Sequence, residues 1–332
     1  MVKVSVILPV FNCEQYIYET VQSVLNQTFS DFELLIIDDC STDNTVSIIN
    51  EFNDSRINLI IKEKNSGYTD SLNYAIALAK GKFIARMDGD DVCLHNRFEK
   101  QVAFLEKNTD VVLCGSAVQF IGYISATKQY PLKYEDIKIK LCFGTPFCHP
   151  SVMGQKEIFL QVPYDRNFEP AEDIHLWSRI VKIGKVENLE ETLLLYRTHE
   201  NQVSITKKEI QEQKVFSIRK EYLKCFSLDE RFCDKELMLI FKNNKLTNLD
   251  QCRLVSNFCD FLKKKNHEIK EFDREKFDIA VEQIKIQKLK SFFSFKRFLK
   301  FTSVVFFIRY TSFNEAIRVL SLRKRIMNIF KK

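Results

Sequence analysis

The run Phe83-Ile84-Ala85-Arg86-Met87-Asp88-Gly89-Asp90-Asp91 closes a short apolar stretch with three carboxylates in four residues. Gly89 lets the backbone turn so that Asp88 and Asp90 can face one point, where uncompensated charges repel. A hard, oxygen-preferring ion such as Mg2+ or Mn2+ removes that conflict. Taken alone, an Asp-x-Asp pair reads more readily as a solvated acidic turn, so its surroundings must decide. Two more acid pairs stand out. Asp38-Asp39 ends another apolar run, and Glu172-Asp173 opens a segment whose Ile174, Trp177, Ile180 and Val181 share one helical face. A carboxylate there can act as a general base, or the two acids can simply complement a helix dipole.

The elements that must position these groups alternate. Val4 to Val10, Phe32 to Ile37, Ile57 to Ile61, Phe83 to Met87 and Val111 to Leu113 read as strands. Ile17, Val21, Val24 and Leu25 follow helical spacing after Asn12, a capping residue, and a second helix through Leu72, Ile76 and Ala79 meets Gly81 as a stop. This order predicts an α/β fold with a mostly parallel sheet covered by helices on both faces. Phe11-Asn12, Asp38-Asp39 and Asp88-Gly89-Asp90 then fall at carboxyl ends of strands, where open α/β sheets bind ligands. The eight glycines form neither G-x-G-x-x-G nor G-x-x-x-x-G-K, so a metal would have to neutralise bound phosphates. From Ile137 to about Tyr196 the pattern loosens, with a helix over Asp173 to Val181 and a strand around Thr192 to Tyr196. Beyond Thr206 it is helical and charged, which puts a boundary near residue 205.

A 332-residue chain with 45% hydrophobic residues can build a large core and carry an appendage. No run approaches the roughly 20 apolar residues that span a bilayer, and Met1 to Val10 reads as a core strand, so a cytoplasmic location is expected. Ten cysteines without a Cys-x-x-Cys pair, several in apolar runs, read as reduced core residues. Charge is uneven. From Lys285 to Lys332, thirteen Lys or Arg face the single acid Glu315, so the first 284 residues are net negative although the whole chain is +6. Phe292, Phe293, Phe295, Phe298, Phe301, Phe306 and Phe307 interleave with these bases. That composition suits an interfacial segment on an anionic membrane, or a helical appendage with a solvated basic face. Nucleic-acid binding has charge but no motif behind it and is not expected.

Six ordered motifs carry a resemblance over about residues 3 to 200. They are Val4-Ser5-Val6-Ile7-Leu8-Pro9-Val10-Phe11-Asn12, Ile37-Asp38-Asp39-Cys40-Ser41-Thr42-Asp43, Asn65-Ser66-Gly67, Ala85-Arg86-Met87-Asp88-Gly89-Asp90-Asp91, Glu172-Asp173 with Trp177 and Arg179, and Tyr196-Arg197-Thr198-His199. Together they resemble the catalytic domain of glycosyltransferase family 2. The resemblance implies the Rossmann-like GT-A fold of nucleotide-diphospho-sugar transferases over residues 1–205; the pattern beyond it gives a helical extension over 206–284, and the composition gives the basic amphipathic segment over 285–332. It assigns Asp39 to the uracil or ribose of a UDP-sugar donor, with Pro9 and Phe11 lining the base. The family often has Tyr where Phe11 stands, so stacking survives and a phenolic hydrogen bond is lost. Asp38 would support the loop. Asp88 and Asp90 match the family's Asp-x-Asp, with Asp90 the better ligand for Mn2+ or Mg2+ and Asp88 also facing the donor. His199 stands where members place a residue near metal or diphosphate, and Asp173 matches the catalytic base. His149 lies in a loop that resembles the acceptor side and receives no catalytic role.

The implied activity is metal-dependent, inverting transfer of a sugar from a UDP-sugar to a hydroxyl of a glycan or lipid-linked glycan. The context is bacterial surface polysaccharide synthesis, with the inner face of the cell membrane as a docking surface. Two other readings share the fold. A catalytically silent nucleotide-sugar-binding scaffold would have no need of Asp39, Asp90 and Asp173 together, and a sugar-1-phosphate nucleotidyltransferase would begin with a glycine-rich signature.

Overall fold

In β1 (Val4–Val10) successive side chains point to opposite faces, and both faces are apolar. Val4, Val6, Leu8 and Val10 enter one core and Ile7 enters the other; in β2 (Phe32–Asp38) Phe32, Leu34 and Ile36 join the first while Leu35 and Ile37 join the second. Strands that are apolar on both sides must be covered on both. The computed structural model, which describes residues 2–200, 202–241 and 245–292, shows that cover. Helices α1 (Ile17–Leu25), α2 (Thr45–Ile49) and α4 (Arg97–Lys107) supply Ile17, Val21, Ile49, Phe98 and Val102 to the first core. On the other face, α3 (Tyr68–Leu78), α5 (Tyr134–Leu141), α6 (Lys156–Gln161), α7 (Glu172–Ile180) and α9 (Lys208–Tyr222) supply Leu72, Ile137, Phe159, Trp177 and Ile218. A single turn, α8 (Val203–Thr206), precedes α9.

The remaining strands are β3 (Ile57–Ile61), β4 (Phe83–Arg86), β5 (Val92–Cys93), β6 (Val111–Gly122), β7 (Ala126–Lys128), β8 (Met153–Gln155) and β9 (Lys185–Thr198). The sheet order is β3-β2-β1-β4-β8-β6-β9-β5, with β7 on β6. The expected α/β class holds. Strands β3, β2, β1 and β4 are parallel, and β6 runs parallel to β9; β8 is antiparallel to both neighbours, as β5 is to β9 and β7 to β6. The second half is therefore mixed rather than parallel. A parallel neighbour needs a long crossover, whereas the short link from β6 to β7 can only return antiparallel.

Two local expectations change. Asn12 does not cap α1, which starts at Ile17 without a side-chain cap. Instead Asn12 adopts φ 50 and its side-chain carbonyl accepts from Thr42 N at 2.8 Å, tying the β1 and β2 exits together. Gly81 does not stop α3, which ends at Leu78 with Ala79 as its cap. It is needed for space, because a Cβ there would lie 2.5 Å from Ser5 N. Gly81 N donates to Ser5 Oγ at 2.8 Å, and that hydroxyl donates to buried Glu33 at 2.5 Å. Gly81→Ala should cost about 1–3 kcal/mol, the scale of overpacking, read as a lower urea midpoint at unchanged m. An unchanged midpoint would show that the turn relaxes freely.

The chain divides into two compact units between Tyr222 and Leu223, so α9 belongs with the sheet, where Ile218 is buried. The second unit is helical: α10 (Asp234–Phe241), α11 (Leu249–Ile269) and α12 (Arg274–Phe292). Asn248 caps α11 by accepting from Gln251 N at 2.9 Å, and Phe272 stacks on Phe277 at 4.9 Å in an aromatic core that includes Phe226 and Phe258. Among the described residues no helix is long and apolar enough to cross a membrane. Most of the basic, Phe-rich segment, residues 293–332, lies outside the described residues. Of the cysteines, Cys93, Cys114, Cys142, Cys148, Cys252 and Cys259 are buried as expected; Cys13 and Cys40 are partly buried, and Cys225 and Cys233 are exposed rather than in the core.

Candidate active site

Loops at the carboxyl ends of β1, β2 and β4 converge. Pro9 is buried within β1 opposite Ile37, while the Phe11 ring just beyond the strand is 46% exposed, enough to offer a face to a planar ligand. Asp38 is fully buried and accepts from Ser41 N at 2.9 Å, which makes it a loop support. Asp39 accepts from Lys62 Nζ at 2.6 Å, Ser66 N at 3.0 Å and Gly67 N at 2.8 Å. Burial alone would raise its pKa, but Lys62 and the two amides outweigh that and hold it below the usual carboxylate range. With three donors in place, one acceptor position of this carboxylate remains.

The acid cluster after β4 is held from several sides. Arg97, fully buried in α4, donates to the carbonyls of Arg86 at 2.9 Å and Val152 at 3.2 Å, fixing the strand exit. Thr20 Oγ1 donates to Gly89 O and Asp91 O at 3.1 and 2.8 Å. Gly89 serves close approach rather than a special turn: a Cβ there would lie 2.9 Å from Cys13 Sγ, and its φ is not positive. Asp88 pairs with Arg86, a guanidinium only 5% exposed. Asp90 Oδ2 lies 2.8 Å from His199 Nε2, and Asp91 Oδ1 accepts from Arg197 N at 2.8 Å. One ligand oxygen from each of Asp88, Asp90 and Asp91 lies within 4.8 Å of the others. Burial, then neighbouring negative charge, pushes the Asp91 carboxyl well up; burial also raises Asp88, offset in part by Arg86.

These residues fit a hard divalent cation. Three carboxylates crowd one point, an imidazole stands beside them, and Asp91 Oδ2 is buried with no hydrogen-bond partner. Asp88, Asp90 and Asp91 are the groups that could hold it, and His199 meets the cluster at Asp90.

At the start of α7, Glu172 and Asp173 diverge. Glu172 is 4% exposed and its Oε2 lies 2.6 Å from Tyr68 Oη, whereas Asp173 is partly exposed. Burial raises the proton affinity of Asp173; Arg86 lowers it and Asp88 raises it. His149, held neutral by burial and by Arg86, pairs through Nε2 with Tyr164 Oη at 2.7 Å. The structure thus gathers Asp39 and Phe11 at one side, Asp88, Asp90, Asp91 and His199 at another, and Asp173 within electrostatic reach of Arg86 and Asp88.

The family model described as Glycosyl transferase family 2 matches residues 5–161. An uncharacterized glycosyltransferase of Haemophilus influenzae is 32% identical over 268 residues, covering 73% of this chain and 82% of that protein. The chain belongs to glycosyltransferase family 2. A second relative, from Escherichia coli, is named UDP-Glc:alpha-D-GlcNAc-diphosphoundecaprenol beta-1,3-glucosyltransferase WfgD; it is 32% identical over 213 residues, covering 64% of this chain and 82% of that one. The crystal structure of S. aureus TarS 1-349 in complex with UDP-GlcNAc aligns with TM-score 0.58 at 18% identity, over 86% of this chain and 92% of that one. That likeness shows the GT-A fold.

Sequence reasoning within this family 2 domain left several site residues without a role. Lys62 directly follows β3, so the strand-end rule that singled out Asp39 would have found it too. Arg86, Asp91 and Arg197 stood inside quoted motifs without an assignment. Tyr68 had no local signal, since its partner Glu172 is 104 residues away.

Proposed function

We propose that this glycosyltransferase moves a sugar from a UDP-sugar to a hydroxyl of a glycan or lipid-linked glycan, with inversion and with help from Mn2+ or Mg2+. The observation that carries the proposal is the separation of two acidic groups: a crowded cluster at the β4 exit with His199 beside it, and a partly exposed Asp173 at the start of α7. Phe11 stacks on the base, and the remaining acceptor of Asp39 suits the single N–H of uracil. A cation at Asp88 and Asp90, when bound, supplies positive charge to the leaving nucleoside diphosphate. Asp173 takes the acceptor hydroxyl's proton as that oxygen attacks the anomeric carbon from the face opposite the leaving group. The relative named for UDP-Glc and a diphosphoundecaprenol-linked acceptor supports this substrate class and a place in bacterial polysaccharide synthesis.

Incubation with a panel of UDP-sugars and Mn2+, followed by release of UDP, tests the proposal. Release from at least one donor that EDTA abolishes is expected. Formation of UTP from a UDP-sugar when pyrophosphate is added, in place of UDP release, or no release from any donor with a lipid-linked acceptor present, would overturn it.

The acceptor class also suits a chain that leans on a membrane surface through its basic terminal segment. Co-sedimentation with anionic vesicles should fall as salt rises, because each Lys or Arg near such a surface contributes about 1 kcal/mol that ions screen. A truncation after Phe292, the last described residue, should no longer pellet. Equal pelleting of both proteins would assign that segment a packing role.

A further inference from the structure

One short turn grips both sides of the reaction. Ser66 N and Gly67 N donate to Asp39 at 3.0 and 2.8 Å. The next residue, Tyr68, reaches Glu172 Oε2 at 2.6 Å, and Thr69 Oγ1 donates to Glu169 Oε2 at 2.9 Å. Gly67 makes this path possible: its φ is 94, and a Cβ there would meet Glu169 Oε2 at 3.3 Å. Four consecutive residues therefore hold the carboxylate placed for the nucleotide and two acids that frame the entry to α7. Asp173, the proposed base, is the covalent neighbour of Glu172. On α7, Glu172 turns into the protein while Asp173 stays partly exposed.

We propose that Tyr68 and Glu172 are a positioning pair that fixes Asp173 relative to the donor held at Asp39. The inference rests on the transfer reaction proposed above. Its physical basis is geometric first. A base misplaced by about 1 Å can lose about 100-fold in rate, and the hydroxyl of Tyr68 is what registers α7 against the donor loop. The electrostatics agree. The groups facing Glu172 are Tyr68 from α3, Arg86 from β4, His149 Nδ1 at 3.7 Å from the turn before β8, Tyr164 from the loop after α6, and Asp173 on its own helix; Glu169 also faces Tyr68. Burial, then the charge of Asp173, pushes Glu172 up to about 8, while Tyr68 and Arg86 pull less strongly the other way. Environments that drive two adjacent carboxyls apart leave one as the neutral partner and the other as the ionised base.

The test uses the full chain with Tyr68→Phe, Glu172→Gln and Glu172→Ala. Tyr68→Phe should lower kcat by about 10- to 100-fold while calorimetric UDP affinity stays at the parent's value. Glu172→Gln keeps a neutral side chain that can accept from Tyr68, so it should restore most of the turnover that Glu172→Ala loses. It should also abolish the alkaline decline in kcat expected of the parent near pH 8. A second readout needs no turnover. A carboxyl whose pKa rises on folding makes the folded state bind the extra proton, so stability should fall as pH rises from about 4.5 to about 8 and then level off. Glu172→Gln should flatten that slope in thermal melts across the same range. If no UDP-sugar is turned over by the parent, the transfer reading fails while the melts still decide the state of Glu172. A Gln variant as inactive as the Ala variant, an unchanged pH slope, or loss of UDP binding in Tyr68→Phe would each overturn the pair.

Discussion

Asp90→Asn is expected to remove cation-dependent turnover and leave the thermal melt unchanged. Asp90 faces the converging point of the acid cluster, with Oδ2 2.8 Å from His199 Nε2, and it adds to the charge that raises Asp91. The amide keeps the shape but removes the anion that a hard cation needs. A metal ion that stabilises a departing diphosphate contributes several kcal/mol, so the loss should reach at least about 100-fold. The measurement is UDP release against Mn2+ concentration, beside a melt to show that the fold persists. Parental activity with unchanged chelator sensitivity would sink the assignment of Asp90.

Asp173→Asn should separate binding from chemistry. Transfer should fall by roughly 100-fold or more, the scale of losing a general base, while UDP binds as before. The separation follows from position, because Asp173 sits at the start of α7, whereas Phe11 and Asp39, the groups proposed for the nucleotide, follow β1 and β2. Burial raises the proton affinity of Asp173, so the acidic limb of the parental kcat profile should lie above the usual carboxylate range. Calorimetry with UDP and a transfer assay on the same preparation decide the matter. Collapse of UDP affinity with turnover per bound donor intact would make Asp173 a binding residue.

The parallel half of the sheet was legible because β1 to β4 are apolar runs bounded by turn residues, and their boundaries fall within a residue of expectation. The other half was not. Strands β5, β7 and β8 have two or three residues, too few to show a period. β6 and β9 run to 12 and 14 residues, yet only Val111 to Leu113 and Thr192 to Tyr196 read as strand, because register shifts near Ser116 and Ala117 break the alternation. At the site, the acids announced themselves through motif and strand end. Their partners did not, since Arg86, Lys62 and Tyr68 acquire meaning only from the groups they meet across the fold. Gly89 was noticed for its conformation, whereas the structure uses its missing side chain.

The β5–β9 pairing has a consequence for how the chain matures. Val92 and Cys93, immediately after the acid cluster, align with Leu195 and Leu194, two strand residues that lead into Arg197 and His199. The carboxylates therefore leave the ribosome well ahead of the groups that complete their surroundings, with Asp90 and His199 separated by 109 positions. Closing so long a loop comes late in folding, after the local β-α units have formed. Until β9 docks, the nascent protein displays an acid cluster without its imidazole or its Arg197 amide. The acid cluster then acquires both partners together, when β9 pairs with β5 and β6.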